Sequence, residues 1–544
     1  MRTTMVVSDI LRLLSEMPFL SRAELATFVS SSVSGVYKAV ERLDLAGLVA
    51  SLPHTTEGQR HTQRFYLTAD GIRETARLQE VDVDELLRTR PVSSQWHRLL
   101  LGRLDALASI YGIAEVIHLA SSAMRLRIYR AGALDAAVTL LDGRVMGIMR
   151  WGPMSDRTAF TKRIERLHDG PMPGSLMLLV PDEIRSRYAV RFLARQHIPA
   201  FVAIERTFMS EDADEPVWNM PGTDARFDVA SAVRKTPKEG RVLTEPPLNR
   251  VTMPEELTLG GDKHNIPAHL LPVDLHPSDK SVLDMIADWP CISIENLRIL
   301  LDLNPTWLSE ILGRLGERGL VNRFYVNGIR LALTDRGLGL LSRRDRASVG
   351  TTKRRWSISE TGEDLSHTWY RVPGRRIRQL LRHVGHTDAV HSYLASMAIS
   401  AREQGWVIVQ LDPPHRASRY FMYEGGQRSV HPDAFFMLRC HDETQAFFLE
   451  WERRAVRPST MRERIAPYLR YYSTKRPLDD HGVTPKVLVV LEDEIAISRF
   501  ARIAGQEMTR TGVSLPLVVR DGNPGPHPAI ASPVRRNEPK DHRG

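Results

Sequence analysis

Ser15-Glu16-Met17-Pro18-Phe19-Leu20-Ser21 and Ala287-Asp288-Trp289-Pro290-Cys291-Ile292-Ser293 superpose with proline on proline and serine on serine. Carried forward without a gap, the same offset pairs Leu25 with Leu297, Val36 with Leu308, Val40 with Leu312, Leu43 with Leu315, Gly47 with Gly319 and Val49 with Val321. Apolar positions fall on apolar ones, so the chain reads as one module used twice. An internal repeat of this kind sets the expected architecture ahead of any other feature.

Within each copy the spacing predicts three helices and a hairpin. The first helix is amphipathic (Val6, Ile10, Leu13, Leu14, Met17; Val282, Met285, Ile286) and stops at Pro18 or Pro290, where the ring removes an amide donor. Ser21-Arg22-Ala23-Glu24 has capping-box spacing for a second helix, and Ser293 is the matching cap. A third helix runs from Val33 to Leu45 or from Pro305 to Arg318 and ends at Gly47 or Gly319. Val49 to Leu52, a basic tip through His54, Arg60, His61 and Arg64, and then Phe65 to Thr68 form the hairpin, which is shorter in the second copy (Asn322 to Arg330).

Three helices and a wing are the pattern of a winged helix-turn-helix, whose third helix enters the major groove while basic wing residues hold the backbone. The expected DNA-facing residues of the first copy are Ser32, Ser34, Tyr37, Lys38 and Arg42, with Arg60 and Arg64 on the wing. In the second copy they are Asn304, Thr306, Trp307, Ser309 and Arg314, with Arg323 and Arg330 on the wing.

At 544 residues the chain exceeds what one core serves, and roughly three to four domains are expected. Its net charge of +9 favours a polyanionic partner. Two cysteines, Cys291 and Cys440, support neither a disulfide framework nor a zinc site. The first residues lack the apolar core of a signal peptide and no run of about 18 apolar residues is evident, so a cytoplasmic protein without a membrane partner is expected.

The predicted organisation is α/β and multidomain, with two winged helix-turn-helix modules each followed by a restriction-endonuclease-like α/β domain. The modules occupy residues 1–80 and 276–345, and the α/β domains 97–220 and 385–520, the first of them degenerate. Residues 221–275, rich in Pro, Gly and charge, read as a linker, and the Pro-rich 521–544 as a disordered tail. A basic connector, 346–384, carries Arg375, Arg376, Arg378 and Arg382 with Trp356, Trp369 and Tyr370 interleaved, a composition suited to tracking phosphates and stacking bases.

Pro432-Asp433 and, further on, Phe447-Phe448-Leu449-Glu450-Trp451-Glu452 would bring Asp433 and Glu450 together on adjacent strands. Two carboxylates at one strand end are what Mg²⁺ needs to hold a water against a phosphodiester. The pattern resembles the PD-(D/E)XK nuclease core, with Glu452 standing where that motif has its lysine, so Asp433, Glu450 and Glu452 are the catalytic candidates and Asp433 with Glu450 the metal candidates. In the first half Asp135 survives, but Gly147-Ile148-Met149-Arg150-Trp151 puts Arg150 at the position of Glu450 if one gap is allowed. Tyr468, Tyr471 and Tyr472 follow on a basic helix, where a tyrosine would be a candidate nucleophile.

With these residues in hand, the second half resembles the replication-relaxation family of plasmids and integrative elements. The resemblance rests on the winged helix, His386, Pro432-Asp433-Ala434, Phe448 to Arg453, Ser459-Thr460-Met461, Tyr468 and Tyr471. It covers about residues 278–500 and, more loosely, 5–200. It implies a role at origins of replication or of conjugative transfer, alongside replication or transfer proteins, and an acidic residue at Glu452 is shared with the family. The leading expectation is a sequence-specific double-stranded DNA-binding protein that needs no cofactor to bind. A Mg²⁺-dependent nickase or relaxase using Asp433 and Glu450 and a transcriptional regulator remain alternatives, and the oligomeric state is left open.

Overall fold

A computed structural model of the chain describes residues 2–29, 31–55, 61–121, 123–212, 214–257, 266–358, 364–452 and 457–522. The described residues form a mixed α/β protein with several sheets. Two compact units are present: Met1–Ser281 with Gly313–Leu320 and Thr334–Ser357, and Val282–Leu312 with Val321–Leu333 and Ile358–Gly544.

In the first unit, helix Arg2–Glu16 is followed by the short strand Leu20–Ser21, helices Arg22–Val29 and Val33–Leu45, and the hairpin strands Val49–His54 and Thr62–Leu67. Thr62–Leu67 is the central strand of a three-stranded antiparallel sheet. The third helix buries Val36, Ala39, Val40 and Leu43, the spacing of a single stripe on a 3.6-residue period. Burying Val36, Val40 and Leu43 contributes roughly 1.5–3 kcal/mol each. Ser32 caps that helix by accepting from the Gly35 N–H, and Gly47 leaves it at φ +69°, a conformation in which a Cβ is strained. Ser21 and Glu24 close the expected capping box, Ser21 N–H donating to Glu24 Oε2 at 2.6 Å and Glu24 N–H to Ser21 Oγ at 3.3 Å.

Beyond this module a seven-stranded sheet forms the body of the first unit, in the order Arg226–Phe227, Trp218–Asn219, Ala200–Ile204, Ser175–Val180, Val145–Arg150, Ala136–Leu140, Met124–Ile128. The three central strands are parallel, and their nearly unbroken apolar runs fit burial on both faces. Met146, Ile148, Met177 and Leu179 share a core with Leu107 and Ile110 of helix Leu104–Ser121. On the opposite face Val145, Met149, Leu176 and Leu178 pack with Phe160 and Ile164 of helix Arg157–His168 and Leu193 of helix Glu183–Ala194. Helix Leu104–Ser121, 18 residues with mean hydropathy 1.3, is one that the sequence reading overlooked as long and apolar enough to span a bilayer. Of its residues 56% are buried, and it serves as the core helix of this sheet. The stretch read as a linker contributes strand Arg226–Phe227 to the sheet edge and folds into helices Val229–Lys235 and Leu271–Asp274.

The elements from Pro277 to Leu333 repeat the order of the first module: helix Pro277–Asp288, strand Ile292–Ser293, helices Ile294–Leu301 and Pro305–Glu317, and strands Val321–Tyr325 and Ile329–Leu333, with Ile329–Leu333 in the sheet centre. Ser293 accepts from the Asn296 N–H as the expected cap, and Gly319 takes φ +63°. The body of the second unit is a five-stranded sheet ordered Val407–Asp412, Ala434–Cys440, Glu443–Glu452, Lys486–Leu491, Leu517–Asp521, antiparallel up to Glu443–Glu452 and parallel thereafter. Helices Val384–Glu403, Pro458–Tyr472 and Glu494–Thr511 belong to the same unit, with the ribbon Arg419–Tyr423 and Gly426–Val430. The tail read as disordered lies, from residue 523 on, outside the described residues.

Candidate functional site

The hairpin of Ala434–Cys440 with Glu443–Glu452 sets Asp433 against the last residues of the longer strand. Ala434 pairs with Leu449, Asp433 N–H donates to the Leu449 carbonyl at 2.9 Å, and Asp433 Oδ2 accepts from the Trp451 N–H at 2.8 Å. Asp433 Oδ1 is hydrogen-bonded to His386 Nε2 at 3.0 Å, which makes His386, at the start of helix Val384–Glu403, the partner of Asp433.

Strand alternation puts Glu450 and Glu452 on one face, beneath helix Pro458–Tyr472. Glu450 Oε1 accepts from the Tyr468 hydroxyl at 2.5 Å and Oε2 from Arg464 Nη1 at 3.2 Å. Arg464 Nε lies 2.7 Å from Glu452 Oε2, so one guanidinium bridges both glutamates. Burial, then the negative charge of Asp433, pushes Glu450 up to about 8, so it carries its proton at neutral pH. Burial also raises Glu452, while the hydrogen bond to Asp433 raises His386. The Tyr468 hydroxyl is driven well above its ordinary value by burial and by Glu450.

The expected metal pair is held here by protein groups. Each oxygen of Asp433 and Glu450 has one hydrogen-bonding partner, and the Arg464 guanidinium supplies the positive charge between Glu450 and Glu452, where Mg²⁺ would also have to keep part of its water shell. The cavity beside Glu450 and Glu452 is about 20 Å³, room for about one water. Among the described residues, no group of three or more His, Cys, Asp or Glu side chains is arranged to hold a metal ion. The tyrosines are no better placed for attack on DNA: Tyr468 and Tyr471 are 4% and 0% exposed, and the Tyr471 hydroxyl donates to Asp480. Arg453, the end of the run on which the resemblance rests, lies outside the described residues.

The two third helices present a different surface. Ser32, Ser34, Lys38 and Arg42 are exposed along the solvent side of Val33–Leu45. Tyr37, 41% exposed, carries the Arg22 guanidinium over its ring at 5.0 Å, so Arg22, which the sequence reading passed over, joins this face. On Pro305–Glu317, Asn304, Thr306, Ser309 and the 43%-exposed Trp307 face solvent, Asn304 Oδ1 accepting from the Thr306 N–H. Arg314 is half-buried and tied to Asp279 at 2.7 Å. Two wing residues have to be corrected. Arg64 is 2% exposed because it turns inward to Glu24 at 2.5 Å, and Arg330 is 5% exposed and bonds Asp388. Both strand positions face the protein, and neither side chain is available to a phosphate. Arg323 is exposed, and Arg60 lies outside the described residues.

The segment after the second hairpin adds what the first lacks. Leu365 N–H donates to the Tyr325 carbonyl at 2.9 Å and Asp364 bridges Tyr325 in parallel, which docks this segment against the wing strand. It leads into helix Arg375–Arg382, which buries Ile377 and Leu381 and exposes Arg375, Arg376 and Arg382. Tyr325 and Tyr370, 51% and 56% exposed, stand with them in the same unit.

Residues 283–487 match the replication-relaxation family model. No curated protein and no solved structure matches the chain. The replication-relaxation segment contains the second hairpin, the arginine helix and the whole cluster of His386, Asp433, Glu450, Glu452, Arg464 and Tyr468.

Outside the replication-relaxation segment, the first unit builds the same backbone corner with different side chains. Asp135 N–H donates to the Ile148 carbonyl and Asp135 Oδ2 accepts from the Arg150 N–H, as Asp433 does with Leu449 and Trp451. The two bonded residues are 15 apart here and 18 apart there. Arg150 therefore corresponds to Trp451, and the residue at the position of Glu450 is Met149, fully buried in the core, not Arg150 as the gapped comparison suggested. Arg150 instead reaches Glu205 at 2.6 Å and Asp345 at 2.7 Å. Asp135 is held by Arg163 at 2.9 Å and Arg346 at 2.6 Å. Burial alone would raise Asp135, but those two guanidinium groups hold it well below the usual carboxylate range.

Proposed function

We propose that this chain is a sequence-specific double-stranded DNA-binding protein acting in replication or transfer of a plasmid or integrative element. On this reading Arg2–Leu67 and Pro277–Leu333 are winged helix-turn-helix modules, and the two sheets are nuclease-like bodies used as scaffolds. One observation carries it: each third helix buries a single apolar stripe and leaves its polar face in solvent, where a groove can receive it. The replication-relaxation match of residues 283–487 supports the biological setting.

Charge decides how the work is divided. On the first third helix Lys38 and Arg42 are offset by the exposed Glu41 and Asp44, so this face reads bases more than it attracts phosphates. Arg323, Arg375, Arg376 and Arg382 supply backbone contacts for the second module. Two modules on one chain read two half-sites, the second binding event being intramolecular. DNA binding on this scheme needs no metal.

Fluorescence anisotropy on a duplex selected by the protein tests the proposal. Arg375→Ala with Arg376→Ala should weaken binding and reduce the slope of log K against log salt by about 2, from roughly 0.9 per phosphate contact. Lys38→Ala with Arg42→Ala should relax sequence preference. Binding of random duplex as tight as of the selected one, or wild-type binding by both double variants, would rule it out.

A further inference from the structure

The first unit contains a pocket of about 360 Å³ whose wall is dominated by arginine. Four of its arginines have carboxylate partners: Arg98 pairs with Glu255, Arg130 with Glu245, and Arg163 and Arg346 share Asp135. Arg103, Arg166 and Arg343 line the same space with no carboxylate at ion-pair distance among the described residues, Asp135 and Glu245 acting on Arg103 only from further off. Arg103 gives one N–H to the Arg130 carbonyl at 3.2 Å and Arg166 one to the Lys162 carbonyl at 3.3 Å. Burial, then the charge of Arg346, pushes Arg103 down to about 10. Ser342, which also lines the pocket, is fully buried with a hydroxyl that has no hydrogen-bond partner.

Seven guanidinium groups against three carboxylates leave an excess of positive charge around one small space, a repulsive arrangement unless a counter-charge enters. Guanidinium forks match phosphoryl oxygens in pairs, and the volume falls in the range of small-ligand sites. The remaining lining is Leu99, Gly102, Ala131 and Ala347, with no aromatic ring on which a base would stack. We propose that this pocket binds a ligand carrying clustered phosphate charge, held by its phosphoryl oxygens and not by a base. Arg166 and Arg343, exposed and unpaired, meet the ligand first, and Arg103 and Ser342 meet its inner end. The ligand is either a free nucleoside polyphosphate or the 5′-phosphate end of a DNA strand, which share this chemistry.

Isothermal titration of the full-length protein with inorganic tripolyphosphate is the test. The wild type should bind saturably, and Arg166→Gln with Arg343→Gln should weaken binding at least about tenfold through the loss of two charge-assisted contacts, with the unliganded melting temperature unchanged. Arg103→Gln should weaken it independently. Displacement by a nucleoside triphosphate but not by a 5′-phosphorylated oligonucleotide assigns the free nucleotide, and the reverse assigns the strand end. Equal tripolyphosphate binding by wild type and the double variant, or no saturable binding of either probe, overturns the proposal. Lys38→Ala with Arg42→Ala should leave tripolyphosphate binding intact, which separates this site from the groove-reading helices.

Discussion

Replacing Glu450 by glutamine should flatten a pH dependence that the wild-type protein carries. In the folded protein Glu450 sits at about 8, against an ordinary value of 4.5. Between those values the unfolded chain releases a proton that the native chain retains, so each pH unit costs the native state about 1.4 kcal/mol. This contribution to stability is complete below 4.5 and is lost as pH rises to about 8. From about pH 5.5 to about pH 7.5 the loss is about 2.7 kcal/mol. In Glu450→Gln the amide keeps a neutral group of the same shape and an oxygen for the Tyr468 hydroxyl, and it does not titrate. Urea unfolding of both proteins at the two pH values measures the difference, in which Glu452 and His386 largely cancel because both proteins carry them. The wild type should lose about 2–3 kcal/mol more than the variant over that interval. Parallel pH profiles would show that Glu450 is ionised in the native state, and the account of a closed, protonated cluster would fail.

Three further outcomes follow from the same geometry. Millimolar Mg²⁺ should leave the melting temperature of wild type and of Asp433→Ala unchanged, because the Arg464 guanidinium already supplies the positive charge between Glu450 and Glu452; a rise in the wild type alone would restore the metal reading. Asp345→Asn should destabilise the first unit by about 3–5 kcal/mol in thermal unfolding, since the buried Arg150 and the partly buried Arg344 both pair with that carboxylate. Arg64→Ala should lower stability by a similar amount through the loss of Glu24's partner, whereas Arg42→Ala should change stability by less than about 0.5 kcal/mol and act on DNA binding alone.

Sequence was most informative where local rules act within a turn or two. Pro290, the serine caps and the two glycines bounded the helices closely: Val33–Leu45 ends where expected and Pro305–Glu317 within a residue of it. Those boundaries depend on backbone donors and on positive φ, which residue type alone controls. Side-chain direction on the hairpins was not legible. Arg64 and Arg330 belong to basic runs but stand at strand positions that face carboxylates of the protein itself, and strand parity cannot be read from charge. The same limit misplaced Arg150. The hairpin of the first unit is shorter, so a gap of one set the register wrong, and only the hydrogen bond from Arg150 N–H to Asp135 fixes Met149 as the counterpart of Glu450. Asp433, just before strand Ala434–Cys440, and Glu450, on Glu443–Glu452, lie side by side, but which side chains engage them was not legible: Arg464 and Tyr468 come from the helix that follows and His386 from a helix 47 residues upstream of Asp433. Those partners satisfy the carboxylates in this structure. The arginine pocket was invisible for the same reason, its lining being drawn from residues as far apart as Arg98 and Arg346.

Selection of duplex from a random library by the full-length protein, followed by hydroxyl-radical footprinting of the selected sequence, tests the central claim most directly. Two protected patches are predicted, one erased by Lys38→Ala with Arg42→Ala and the other by Trp307→Ala with Arg323→Ala. Failure to enrich any sequence, or a footprint that both double variants leave intact, would contradict it.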